Sequence, residues 1–142
     1  MSRRKRYTRN LGRILPTPLP VRATTEWVRF EHEAEPWGVF SYLDHAKRAK
    51  PELSREINVE LEWFNRMLDA PDHGIDLERF WFKAEAWWYI HHARELTTLV
   101  RRAGIPIVER RIARLPGIVR WQDRDQVAVV TFRDTPRVAK TL

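Results

Sequence analysis

The sequence predicts an α+β fold: three helices packed with a small antiparallel sheet, a C-terminal β-hairpin, preceded by an extended basic N-terminal arm. Three observations lead there. Apolar residues recur at helical spacing through consecutive stretches between about residues 36 and 103. Two short apolar runs, 118–121 and 127–132, flank the polar tip Gln122-Asp123-Arg124-Asp125-Gln126, the pattern of a hairpin with a longer turn. The first 25 residues hold seven cations, Arg3, Arg4, Lys5, Arg6, Arg9, Arg13 and Arg22, and no acid precedes Glu26.

The arm comes first in the chain. Residues 1–25 are rich in Arg and carry Pro16-Thr17-Pro18-Leu19-Pro20, a composition that cannot bury enough apolar surface to fold alone. The prolines favour polyproline II and form a stiff spacer between the cations and the rest of the chain. The expected division is an arm over 1–25 and one α+β domain over 26–142; the 43% hydrophobic content of the whole chain and its seven Trp suffice for a core.

Within that domain, Trp27-Val28-Arg29-Phe30-Glu31-His32 reads as a short strand with Val28 and Phe30 on one side. Pro36 suits a helix first turn, and Phe40, Leu43, Ala46 and Ala49 predict a helix over about 36–49. Pro51 opens a second helix, whose stripe is Leu53, Ile57, Leu61, Phe64 and Leu68 and which Pro71 stops. The longest helix is expected over 76–103, with Phe82, Ala86, Tyr89, Ala93, Leu96, Val100 and Ala103 on its core face and Gly104 as its left-handed C-terminal cap. Ile105-Pro106-Ile107-Val108 then reads as an extended segment, and Pro106 places it at a sheet edge or at the first positions of a strand.

The motif Phe80-Trp81-Phe82-Lys83, followed by Gly104-Ile105-Pro106-Ile107, Pro116-Gly117 and Asp123-Arg124-Asp125-Gln126-Val127, is similar to a pattern in small bacterial proteins with no assigned activity. It covers residues 60–134. The resemblance implies a compact helix-then-hairpin unit and carries no chemistry.

Charge narrows the function. The 26–142 region has 19 basic and 19 acidic residues, so the net charge of +7 resides in the arm. Residues 26–78 hold 13 acids against 6 bases, and residues 79–142 hold 6 acids against 13 bases. An arm with six cations in its first 13 residues can displace counterions from a phosphate backbone. A second basic surface is expected on the outer face of the long helix, where Phe80, Lys83, Trp87, His91, Arg94, Thr98, Arg101 and Arg102 share an arc. Aromatics among cations suit stacked bases held by their phosphates, although packing of the helix on both sides would make Phe80 and Trp87 core.

Other chemistries have thinner support. There is no cysteine, so disulfides, thiolate ligands and a cysteine nucleophile are excluded. His91 and His92 are adjacent and project about 100° apart, unlike the i, i+4 pair of a helical zinc site. Glu109, Asp123 and Asp125 would form a divalent-cation site only if the fold converged them; otherwise Asp123 and Asp125 are turn formers. No nucleophile elbow or phosphate-cradling glycine loop occurs.

The resulting expectation is a non-enzymatic, nucleic-acid-associated protein of bacterial or phage origin, an accessory or structural subunit of a larger assembly. Arg3, Arg4, Lys5, Arg6, Arg9 and Arg13 would contact the phosphates of DNA or RNA, with Lys83, Trp87, Arg94, Arg101 and Arg102 as the second surface. No cofactor and no membrane partner are implied, and the expected location is the cytoplasm. Two alternatives stay open. One is a protein-interaction or adaptor module using the acidic block 26–78, which could also bind the arm itself; the other is a metal-dependent nuclease or toxin built on Glu109, Asp123 and Asp125.

Overall fold

The computed structural model describes residues 26–69 and 78–131. Within them an antiparallel sheet of five strands carries three α-helices on one face. The strands are β1 (Trp27–His32), β2 (Glu78–Lys83), β3 (Ile107–Ile112), β4 (Gly117–Gln122) and β5 (Gln126–Thr131). Their order across the sheet is β3-β1-β2-β5-β4. The helices are α1 (Leu43–Ala49), α2 (Ser54–Met67) and α3 (Trp87–Arg102), with one-turn 3-10 segments at Val39–Tyr42 and Pro51–Leu53. The mixed α+β class is as expected, but the sheet is larger than a C-terminal hairpin. The arm, residues 1–25, lies outside the described residues.

The largest departure concerns the helix expected over 76–103. Residues 78–83 form β2 at the centre of the sheet, and the helix begins only at Trp87. Phe82 and Ala86 fit a helical stripe, which hides the strand, yet Phe82 and Trp81 point to opposite faces, each into its own apolar cluster. A run of aromatics prefers the pleated surface of a sheet buried on both sides. The first predicted helix is also shortened. His32 Nδ1 accepts the Ala34 and Glu35 N–H groups, and Gly38 pairs in extended conformation with Glu31, so Pro36 sits in a turn instead of a helix start.

Helix packing follows the apolar stripes. Ile57 and Phe64 of α2, together with Tyr89, Ile90, Ala93, Leu96 and Val100 of α3, bury against Val28 and Phe30 of β1, Phe82 of β2 and Ile107 of β3. Gly104 ends α3 at φ +91°, the left-handed cap. Pro106 directly precedes β3, an edge strand, where its missing N–H breaks no ladder bond. A smaller apolar cluster, Trp81, Val127 and Val129 with Trp27, Ile112 and Val119, occupies the other face.

Gly117, where β4 opens against β5, has no room for a side chain. A Cβ there would lie 2.3 Å from the Val130 carbonyl oxygen, a backbone atom. Gly117→Ala is therefore expected to destabilise the fold by about 1–3 kcal/mol, the range of overpacking strain, measured by denaturant unfolding.

Candidate nucleic-acid interface

The outer face of α3 carries the basic stripe. Trp87, His91, Arg94, Thr98, Arg101 and Arg102 are all exposed, the first five spaced by three or four residues along the helix and Arg102 four residues after Thr98. Trp87 is 65% exposed, so it is not core, and it meets Trp88 edge to face at 4.9 Å. Arg94 makes a bidentate pair with Glu109 of β3, Nε to Oε1 and Nη2 to Oε2 both at 2.9 Å. Arg101 Nε donates to the Ile107 carbonyl at 2.6 Å, which orients its guanidinium at the helix C-terminus. Arg111 of β3 extends the basic edge, its Nη1 donating to Glu26 Oε1 at 3.0 Å.

Two residues expected on this helix face sit elsewhere. Lys83 ends β2, and its ammonium donates to the Asp123 carbonyl at 2.8 Å, tying β2 to the β4–β5 turn. Phe80 lies on β2, edge to face with Trp121 of β4 at a 6.2 Å centroid distance. The stripe is thus Trp87, Arg94, Arg101 and Arg102 without Lys83.

The start of the described chain lies at one end of this stripe. The Glu26 carbonyl accepts the Ala84 N–H at 3.0 Å, and Trp27 pairs with Lys83 across the β1–β2 ladder. Trp87, the first residue of α3, follows Ala84 by three positions. Glu26, the first described residue, is therefore held between Ala84 and Arg111. The arm cations, Arg3, Arg4, Lys5, Arg6, Arg9 and Arg13, lie outside the described residues.

The other flank of α3 is aromatic and acidic. His92 stacks on Trp63 of α2 at 3.6 Å, and its Nδ1 lies 2.8 Å from Glu60 Oε1. Trp88, 47% exposed, closes on the same imidazole at 6.0 Å. Glu56 and Glu62 lie exposed on α2. Sequence spacing links Trp63 to α2 and His92 to α3, but nothing in it shows that the two rings meet.

The three acids considered for a metal are not brought together. Glu109 is on β3 at one edge of the sheet, while Asp123 and Asp125 belong to the β4–β5 turn at the other. Asp123 Oδ1 accepts the backbone N–H of Asp125 at 2.8 Å and of Gln126 at 3.0 Å, the geometry of a turn former. Among the described residues no group of three His, Asp or Glu is placed to hold a metal. No helix among them is long and apolar enough to cross a membrane.

Arg94 holds the Glu109 carboxyl below the usual carboxylate range, chiefly through their hydrogen bonds. The pair's contribution to stability is present above that range and fades as pH falls through the depressed value. Arg94→Gln is expected to return the Glu109 titration upward, read by NMR of its carboxyl carbon.

Sequence reasoning missed a cavity of about 580 Å³ where β1 and β2 separate. Only Trp27 and Val28 pair with β2, opposite Lys83 and Phe82; beyond them the strands diverge. Arg29 fills the breach. Its Nη1 donates to the Phe80 carbonyl of β2 at 2.9 Å, its Nη2 to the Pro36 carbonyl at 3.2 Å, and its Nε to Glu31 at 2.8 Å. A cation between Val28 and Phe30 in an otherwise buried strand was the available signal. In comparison with known proteins, no family model matches the chain, and no curated protein or solved structure matches it.

Proposed function

We propose that the protein is a nucleic-acid-associated accessory component that binds the phosphate backbone through its N-terminal arm and the outer face of α3. The observation that carries this reading is the exposed row on α3 from Trp87 through Arg94 to Arg101 and Arg102, with Arg111 bonded to Glu26, the first described residue. The arm supplies long-range attraction and counterion release. The α3 row supplies fixed cations and one exposed indole able to stack on an unpaired base. Nothing in either surface reads base edges, so binding is to backbone and shape.

Two variants test the α3 surface. Arg101→Gln with Arg102→Gln is expected to lower the magnitude of the log Kd against log salt slope by about one for each phosphate left unneutralised. Trp87→Ala is expected to weaken single-stranded binding by about 1–3 kcal/mol and duplex binding less. Fluorescence anisotropy on single-stranded DNA, duplex DNA and RNA measures both; unchanged slopes and affinities would remove α3 from the interface.

A second reading has its own observation. Half-buried Trp63 and exposed Trp88 form an aromatic seam that also holds Glu60 of α2. That seam suits a basic protein segment, and the adaptor reading rests on it.

A further inference from the structure

The face of the sheet opposite the helices is apolar at its centre. Trp81 of β2 packs there with Val127 and Val129 of β5, ringed by Trp27 of β1, Ile112 of β3 and Val119 of β4. No helix residue belongs to this cluster. Even so, Val127 and Val129 are 1% and 0% exposed, and Trp81 is 8% exposed. A sheet face that meets water carries polar residues, whereas this one presents two indoles, three valines and an isoleucine. The indole N–H of Trp27 is buried and has no acceptor among the described residues. A donor left so costs its full desolvation penalty. Such a face is matched by a covering chain that brings apolar side chains and a free carbonyl oxygen.

The arm holds a segment of that composition. Between Arg13 and Arg22 the run Ile14-Leu15-Pro16-Thr17-Pro18-Leu19-Pro20-Val21 has no charge. Polyproline II has three residues per turn and no internal hydrogen bonds, so it would set Leu15, Pro18 and Val21 on one edge, Pro16 and Leu19 on the next, and leave its carbonyls free. Aromatic-lined surfaces bind such segments. Reach is sufficient: Val21 precedes Glu26 by five positions, a span of at most about 18 Å, and β5 lies two strand spacings, about 10 Å, from β1. The stretch 132–142 is a poorer match, because Arg133, Asp134, Arg137 and Lys140 interrupt it. We infer that residues 14–21 dock on the outer face of the sheet in polyproline II conformation, with Leu15, Pro18 and Val21 against Trp27, Trp81 and Val119 and a backbone carbonyl accepting the Trp27 indole N–H. The six cations of residues 3–13 stay outside this contact, so the docking is independent of the proposed nucleic-acid binding.

The chain has no cysteine, so a single nitroxide label can be placed at a chosen position of the full-length protein. Thr17→Cys puts it on the remaining edge of the segment, and NMR without nucleic acid reads the methyl signals of Val127, Val129 and Ile112 and the Trp27 indole. These signals are expected to lose most of their intensity, while Val59, exposed on α2 at the helix side, keeps its own. Leu15→Glu with Val21→Glu in the labelled chain is expected to restore the cluster signals by releasing the segment. A label at Thr141→Cys, in a separate chain, is expected to leave them sharp. Dispersion of the unlabelled spectra establishes that each variant is folded; if the glutamate pair is not, the comparison of the two labels decides. Sharp valine signals with the Thr17 label, equal broadening at Val59, broadening that survives the glutamate pair, or broadening from position 141 instead would each overturn the inference.

Discussion

Arg29→Met is expected to cost about 3–5 kcal/mol of folding stability at neutral pH, the penalty for stranding one member of a buried ion pair. Two losses combine. The carbonyls of Phe80 and Pro36 lose the donor that spans the breach between β1 and β2, and Glu31, 5% exposed, loses its closest cation. Methionine keeps the volume of the stem, so a cavity is not the cause. Burial is the largest influence on both partners, pushing the Arg29 guanidinium down and the Glu31 carboxyl up from its ordinary 4.5. A carboxyl whose folded pKa is raised contributes stability that is full below the unfolded value and is lost as pH rises through the folded one. The wild-type chain should therefore carry a component of stability that declines above the ordinary carboxylate range, absent from Glu31→Gln. The penalty of Arg29→Met should shrink toward pH 4 as Glu31 takes up its proton. Urea unfolding of the two single variants and the double variant at pH 4 and pH 7 measures this. A penalty that does not change with pH would mean that Glu31 is not the group left stranded.

What the sequence conveys well is local. The strand at 27–32, the cap at Gly104 and the hairpin expected from 118–121 and 127–132 each rest on a few adjacent residues; the strand and cap form where expected, and the hairpin forms as Gly117–Gln122 with Gln126–Thr131. What it conveys poorly depends on distant partners. Residues 78–83 carry apolar groups on both faces because the helix-side core covers one and the Trp81, Val127 and Val129 cluster the other, so no alternation betrays the strand and the neighbouring helical period absorbs it. A helical reading of that segment puts Lys83 on α3, whereas the stripe of Trp87, Arg94, Arg101 and Arg102 lies inside the true helix and is legible from its spacing. Separation of Glu109 from Asp123 and Asp125 follows from strand order, which no local pattern encodes. The cavity at Arg29 is likewise a product of two strands parting.

The arm is expected to dominate affinity for nucleic acid. Six cations within residues 1–13, if each displaces a counterion from duplex DNA, give a log–log salt slope of about −5 and a loss of about a thousandfold in affinity between 50 and 200 mM salt. The 26–142 region is neutral overall and cannot produce such a slope by net charge; only the local rows on α3 and β3 remain to it. The most direct measurement is a salt titration of duplex and single-stranded binding by the full-length chain and by a chain lacking residues 1–22. Deletion should reduce affinity at low salt by orders of magnitude and flatten the slope to the one or two phosphates that α3 can neutralise. An unchanged affinity and slope after deletion would contradict the assignment of the arm, and with it the proposed function.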